Sequence, residues 1–209
     1  MPPGIKVVAV SKTNPVNIIL EAYQAGQRLY GENKVQELVS KYEQLPKDIE
    51  WHLIGHLQTN KVKYIAPFVA MIHSIDSLSV LDEVNKQAHR FNRVIPCLLQ
   101  VHIAEEETKF GLNEAELFGL VESSLSKNLK NVQICGLMGM ATFTEQETQI
   151  RKEFQHLAGL FIKIKHSVMK DHPAFNELSM GMSSDYFIAI QEGSTMVRLG
   201  SKIFGERQR

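Results

Sequence analysis

Residues 5–13 read IKVVAVSKT, four consecutive apolar residues from Val7 to Val10 running into the polar Ser11-Lys12-Thr13. An apolar run without alternation describes a strand covered on both faces, as in a parallel sheet. A lysine just past such a strand can reach into a site at the carboxyl end of the sheet. Partial desolvation there lowers an amine's pKa and makes it nucleophilic toward an aldehyde. Taken alone, Lys12 reads more simply as a lysine snorkelling from a strand end. The rest of the chain changes that balance.

Seven further strand-like runs follow at intervals of about 20 to 40 residues: QRLYGEN, IEWHLIG, AMIHSID, IPCLLQVHI, VQICGLMG, FNELSMG and TMVRLGS. Helical periodicity separates them, as in Pro15 to Ala25 with Ile18, Ile19, Ala22 and Tyr23, and in Leu78 to Phe91 with Val80, Leu81, Val84 and Ala88. Asn14 before Pro15, Ser77 before Leu78, and Asn113 three residues before Glu116 mark helix starts, and Gly26 suits a C-cap. The longest helical stretch, about Glu145 to Lys170, falls between the sixth and seventh strands. Each parallel return needs a crossover, and no hairpin turn is present. The pattern predicts an α/β fold, a closed (β/α)8 TIM barrel, with residues 1–209 as a single domain.

Lys plus Arg and Asp plus Glu number 23 each, so no net charge draws the chain to nucleic acid or an anionic membrane surface. The apolar runs are too short to span a bilayer, and MPPGIKVV lacks the features of a signal peptide, which predicts a cytoplasmic protein. Cys97 and Cys135 sit in apolar runs without C-x-x-C spacing and read as buried thiols in a reducing compartment.

In such a barrel the chemistry sits at the carboxyl ends of the strands. There the sequence turns polar and glycine-rich, most of all in SMGMSSD (Ser179 to Asp185) and VRLGS (Val197 to Ser201). Glycines admit an anion close to backbone amides. Ser183 can add a hydroxyl and open a helix from Ser184 to Ile190, and phosphate-binding barrels hold the anion beyond the seventh and eighth strands. Ordinary loop turns explain these clusters equally well. An amine after the first strand, adjacent to an anion cradle after the last two, is the arrangement a pyridoxal phosphate site requires: the aldehyde would form an imine with Lys12 while the phosphate anchors the other end of the ring. A phosphate-binding barrel enzyme without that cofactor is a third reading.

The segments AVSKT, GENKVQE, WHLIGHLQTNK, SID, KFGL, GLMGM, LSMGMSSD and GSTMVRLGSKIFG, read in order, resemble the YggS/PROSC family of pyridoxal phosphate homeostasis proteins over nearly the whole chain. That family in turn resembles the barrel domain of alanine racemase. The resemblance implies pyridoxal 5'-phosphate as cofactor and Lys12 as the Schiff-base lysine. It implies Ser183, Gly200 and Ser201 at the phosphate, Arg198 facing the pyridine nitrogen, and Asn33 near the ring. Ile54, Met138 and Met182 are candidates for packing against the ring, or are plain core. A guanidinium cannot accept a ring proton and donates to an unprotonated nitrogen, so the ring is a weaker electron sink than one paired with a carboxylate. Carbanion chemistry of the transaminase kind is disfavoured while reversible imine formation is not, which suits a carrier, or a racemase if a second base is supplied. The implied role is a monomeric carrier that buffers pyridoxal phosphate and delivers it to apo-enzymes that depend on it. The alternative is an amino-acid racemase on the same imine.

A racemase needs a second base, which racemases of this likeness take from a tyrosine in a following β-rich domain. This sequence stops at Arg209, and Tyr30 and Tyr186 read as packing residues. Lys12 lies close to the start, so the helix that relatives carry before the first strand is expected to be absent or short and the barrel floor less well plugged. His52 and His56 have zinc-pair spacing only on a helix, whereas WHLIGH reads as a strand running into a loop. His73 and His102 read as satisfied core or mouth histidines, Asn60, Lys61 and Lys63 as a solvated basic face, and Glu105 to Glu107 before Lys109 as an exposed loop. No dinucleotide or Walker motif is present.

Overall fold

In the computed structural model, which describes residues 1–106 and 110–206, eight parallel strands form a closed barrel in chain order. The strands are β1 (Lys6–Val10), β2 (Leu29–Glu32), β3 (Glu50–Leu53), β4 (Met71–Ile75), β5 (Ile95–Val101), β6 (Val132–Gly139), β7 (Glu177–Met182) and β8 (Met196–Leu199). Helices α1 (Val16–Gln24), α2 (Val35–Gln44), α3 (Val62–Ile65), α4 (Leu78–Arg90), α5 (Glu114–Ser126), α6 (Glu147–His166) and α7 (Tyr186–Gln191) carry the chain back between strands, and α8 (Ser201–Phe204) follows the last. The (β/α)8 barrel read from the sequence is the fold observed. Closure is made by β1 against β8, with Val7 opposite Val197 and Val8 opposite Arg198.

Local sequence explains several helix ends. The Ser77 hydroxyl accepts from the Val80 amide, and Asn113 with Glu116 forms a reciprocal capping box. Gly26 takes the left-handed conformation just past α1 (φ +102°), which lets the Gln27 amide return to the Ala22 carbonyl. Two expectations are corrected. Asn14 does not cap α1: Pro15 occupies that position, and the Asn14 amide group is turned back to the Lys12 carbonyl. Ser183 does not open a helix at Ser184. The Asp185 carboxylate takes the Met182 amide at 2.5 Å, which closes a turn over 182–185, and α7 starts only after it.

The strands separate two cores. Outside, apolar side chains of the strands meet the helices, with Tyr30, Trp51, Leu53, Phe154 and Phe175 fully buried. Inside, Val8, Met71, Leu98, Cys135, Met138 and Met196 form a second cluster contributed by five strands. Both cysteines are buried free thiols, Cys97 in the outer core and Cys135 in the inner one. At the end where the strands begin, Lys6 pairs with Glu177, and Cys135 and Met196 lie buried within the barrel.

The interior also holds a buried histidine pair. His52 Nδ1 lies 2.9 Å from His73 Nε2, and His73 Nδ1 lies 3.1 Å from the Ser179 hydroxyl. Burial, with a smaller contribution from Lys6, pushes His52 down to about 4. Burial likewise holds His73 well below the usual imidazole range, helped by His52 and Arg198. Both rings are therefore neutral at physiological pH.

Two outcomes follow from this packing. Gly136 sits at a register shift between β5 and β6 with φ +153°, and a Cβ there would lie 1.7 Å from the Glu177 carbonyl oxygen. Gly136→Ala should therefore force β6 from β7 and lower stability by roughly 2–4 kcal/mol, read from urea denaturation. The pH dependence follows from His52. The unfolded chain takes up its proton near pH 6.5 and the folded protein only near 4, so the unfolded state binds more protons between these values. Stability present above pH 6.5 should be lost as pH falls toward 4, on the order of 3 kcal/mol for this residue. His52→Gln should show a shallower loss across the same window, and parallel profiles would mean that His52 is protonated in the folded protein.

Candidate cofactor site

Ser11, Lys12 and Thr13 continue β1 at the end of the barrel where every strand finishes, and Lys12 is half-buried there. Gly200, just past β8, lies against β1: a Cβ built on it would be 3.5 Å from the Val10 carbonyl oxygen. The Ser183 hydroxyl accepts the Gly200 amide at 3.1 Å and so ties the loop after β7 to the loop after β8. The two small-residue clusters thus meet beside the strand that leads to Lys12. Ser183 keeps a hydroxyl proton to donate, and the amides of Ser201 and Lys202, in the first turn of α8, have no intrahelical carbonyl to bond. Ser201 is exposed and Gly200 half-buried.

On the other flank of β1, Gly31 lies between Val8 and Ile54. A Cβ there would be 2.9 Å from Val8 Cγ1 and 3.0 Å from Ile54 Cδ1. Gly55, two residues past the end of β3, is pressed against the Asn33 backbone, where a Cβ would meet the Asn33 carbonyl oxygen at 2.4 Å. Ile54 and Asn33 are both half-buried and stand together at the ends of β3 and β2. Met182 is the last residue of β7 and also half-buried. Met138, by contrast, is fully buried in the inner cluster and is core.

Arg198 is buried on β8. Its Nη1 donates to the Ser179 carbonyl at 2.9 Å and to the Ser179 hydroxyl at 2.6 Å, and its Nη2 donates to the Gly139 carbonyl at 2.9 Å. Burial lowers its guanidinium to about 10, against a smaller opposing pull from Asp185, and it stays charged at neutral pH. Every bond it makes here is to a neutral acceptor. Because the guanidinium only donates, the hydrogen-bond pattern assigns the Ser179 proton to His73 Nδ1 and the His73 Nε2 proton to His52.

The other sequence candidates separate from this site. Tyr30 lies on the outer face of the barrel, where its hydroxyl donates to the Ile19 carbonyl and its ring packs on Trp51. Tyr186 packs against Phe187. His52 and His56 do not converge: His52 points into the barrel, while His56 is exposed at the mouth, bonded to Asp76 and stacked on Phe110. Among the described residues no group of three His, Cys, Asp or Glu could hold a metal ion. His102 bonds the Glu106 carbonyl, and Lys61 and Lys63 lie over the Tyr64 ring. Glu105 and Glu106 are tied to the following loop, the former through Thr142 and the latter through the Phe143 amide, while Glu107 and Lys109 lie outside the described residues. Sequence reasoning missed the Ser179–His73–His52 chain and an ion cluster of Glu32, Glu37 and Lys41 around Ser11. The alternation of His52 and His73 with apolar neighbours, and the i, i+4 spacing of Glu37 and Lys41, were the only local signals.

The residues at the mouth fit pyridoxal phosphate by the chemistry of their donors: a primary amine for the aldehyde, a hydroxyl and unbonded amides for the phosphate, and a permanently charged donor for a basic ring nitrogen. Residues 1–208 match the family model described as alanine racemase, N-terminal domain. A pyridoxal phosphate homeostasis protein of Aquifex aeolicus is 43% identical over 97% of this chain and 87% of its own length. The human protein of that description is 38% identical over 97% of this chain and 76% of its own. The structure of PipY from Synechococcus elongatus with pyridoxal phosphate bound superposes with a TM-score of 0.85 at 35% identity, covering 98% of this chain and 94% of that one. Alanine racemase from Bartonella henselae, at 18% identity and a TM-score of 0.72 over 57% of its chain, shares the fold. The chain belongs to the alanine racemase N-terminal domain family and, within it, to the pyridoxal phosphate homeostasis proteins.

Proposed function

We propose that this chain binds pyridoxal 5'-phosphate at the barrel mouth and serves its homeostasis in the cytoplasm, as a single-domain monomeric carrier that buffers the cofactor and passes it to apo-enzymes. The observation that carries the reading is the meeting of the Ser183 hydroxyl and the Gly200 amide beside Val10, two residues before Lys12. When bound, pyridoxal phosphate supplies an aldehyde that condenses reversibly with a primary amine. Lys12 is the amine that receives it. Ser183, Gly200 and Ser201 hold the phosphate, Asn33, Ile54 and Met182 border the ring, and Arg198 donates to its nitrogen.

The choice between carrier and enzyme rests on protons. Arg198 cannot give up its proton at neutral pH, so it stabilises the neutral ring nitrogen and withholds the electron-withdrawing ring charge on which transaminase-type chemistry depends. A racemase further needs an acid or base within hydrogen-bond reach on the opposite face of the substrate. Tyr30 is turned away, its hydroxyl engaged at Ile19. Incubation of the loaded protein with L-alanine in heavy water should therefore leave the α-proton unexchanged, and rapid exchange would favour the racemase reading.

Lys12→Ala should abolish the covalent link while preserving the fold, because the side chain lies beyond the strand and contributes nothing to either core. Borohydride reduction and peptide mapping of the wild type should find the pyridoxyl group on Lys12, and an adduct confined to another lysine would overturn the assignment. Ser183→Ala removes a hydrogen bond to a charged acceptor, about 1.5–3 kcal/mol, and should weaken pyridoxal phosphate binding roughly 10- to 150-fold. Pyridoxal, which lacks the phosphate, should bind both proteins alike. Equal loss for the two ligands would remove Ser183 from the phosphate.

A further inference from the structure

The three residues centred on Lys12 are gripped by charges that the cofactor reading leaves unused. Lys41 of α2, buried, donates at 2.7 Å to each of three acceptors: the Ser11 carbonyl, Glu32 Oε1 and Glu37 Oε1. The Ser11 hydroxyl donates to the same Glu32 oxygen at 2.6 Å, and the Thr13 amide donates to Glu37 Oε1 at 2.6 Å. Both peptide neighbours of Lys12 are thus bonded to one ion cluster. Glu32 is fully buried, and its Oε2 has no hydrogen-bond partner among the described residues. Burial pushes the Glu32 carboxyl up, against the bonds from Lys41 and Ser11. Burial pushes Glu37 the same way, but there the bonds from Lys41 and the Thr13 amide outweigh it and hold the carboxyl low.

Thr13 shows what the grip accomplishes. It is a β-branched residue held at φ +67°, a left-handed conformation that such side chains avoid. Strain of this kind persists only where the surroundings over-determine it, and it gathers where a side chain must be aimed. Here the Thr13 amide is fixed by Glu37, its hydroxyl donates back to the Lys12 carbonyl at 2.5 Å, and the Ser11 carbonyl is fixed by Lys41. The turn that results directs the chain away from the barrel immediately after Lys12.

We infer that Glu37 and Lys41, acting with Glu32, are positioning residues that hold the 11–13 turn and thereby set the approach of the Lys12 amine to the cofactor aldehyde. The inference rests on the reading of Lys12 as the cofactor lysine. It assigns α2 a function separate from phosphate anchoring, since none of the three side chains reaches the loops after β7 and β8. Loss of the grip should therefore weaken the covalent link and leave the non-covalent anchoring intact.

The test compares two ligands on three proteins. Pyridoxal 5'-phosphate reports on linkage plus anchoring, and 4'-deoxypyridoxine 5'-phosphate, which has no aldehyde, reports on anchoring alone. E37A should lower apparent affinity for pyridoxal phosphate roughly tenfold and slow the appearance of linked cofactor, with affinity for the deoxy compound within about twofold of wild type. E37Q keeps an oxygen for the Thr13 amide and should recover most of the loss. Equal weakening of both ligands would make the cluster a general scaffold, and no change in either, or E37Q as poor as E37A, would also overturn the inference. Should E37A fail to fold, E37D keeps the charge but withdraws the acceptor by one methylene, and the same comparison decides. Wild type and K12A are run alongside. A wild type that forms no link, or a link that survives in K12A, would instead be a failure of the Lys12 reading itself.

Discussion

The pairing of β1 with β8 closes the sheet and removes its two open edges, whose unpaired amides and carbonyls would otherwise invite other chains. That ladder joins segments almost two hundred residues apart, and the entropy of closing so long a loop is recovered only because every strand between them is already paired in order. The proposed site depends on the same ladder. It aligns Val8 with Arg198 and Ala9 with Leu199, and so sets Gly200, with the Ser183 hydroxyl bonded to its amide, against Val10 at the end of β1.

Closure also creates an interior that has to be filled. Methionines and small aliphatic residues fill most of it, but a polar column crosses it from His52 through His73 and Ser179 to Arg198. Arg198 can only donate, which gives the column a direction, and burial keeps both imidazoles neutral. The cost of burying one cation without a carboxylate bonded to it is offset by two carbonyls and a hydroxyl. A charge held this way favours a ligand that offers one more acceptor and brings no proton of its own.

The barrel was legible because apolar runs and helical periodicity alternate eight times, and burial on both faces of a parallel strand writes itself into local composition. The helix starts at Ser77 and Asn113 were legible for a related reason: a cap is satisfied within four residues. Asn14 and Ser183 misled because each has the chemistry of a cap but is claimed by a neighbour, Asn14 by the Lys12 carbonyl and Ser183 by the Gly200 amide. Met138 stayed open between ring and core in the sequence, since an apolar residue near a strand end reads alike whether it faces a ligand or the packed interior below it, and its burial decides for the core.

Sequence by itself determined the strand count, the parallel order, the ends of the strands that carry polar and glycine-rich residues, and the family to which those motifs point. All of these are carried by neighbours along the chain. Only the tertiary structure decided which polar groups act together. The Lys41 bond to the Ser11 carbonyl spans 30 residues and the Arg198 bond to Gly139 spans 59. No periodicity encodes such pairs, because a long side chain finds its acceptor through the register of strands and the tilt of a helix, which exist only once the barrel has closed.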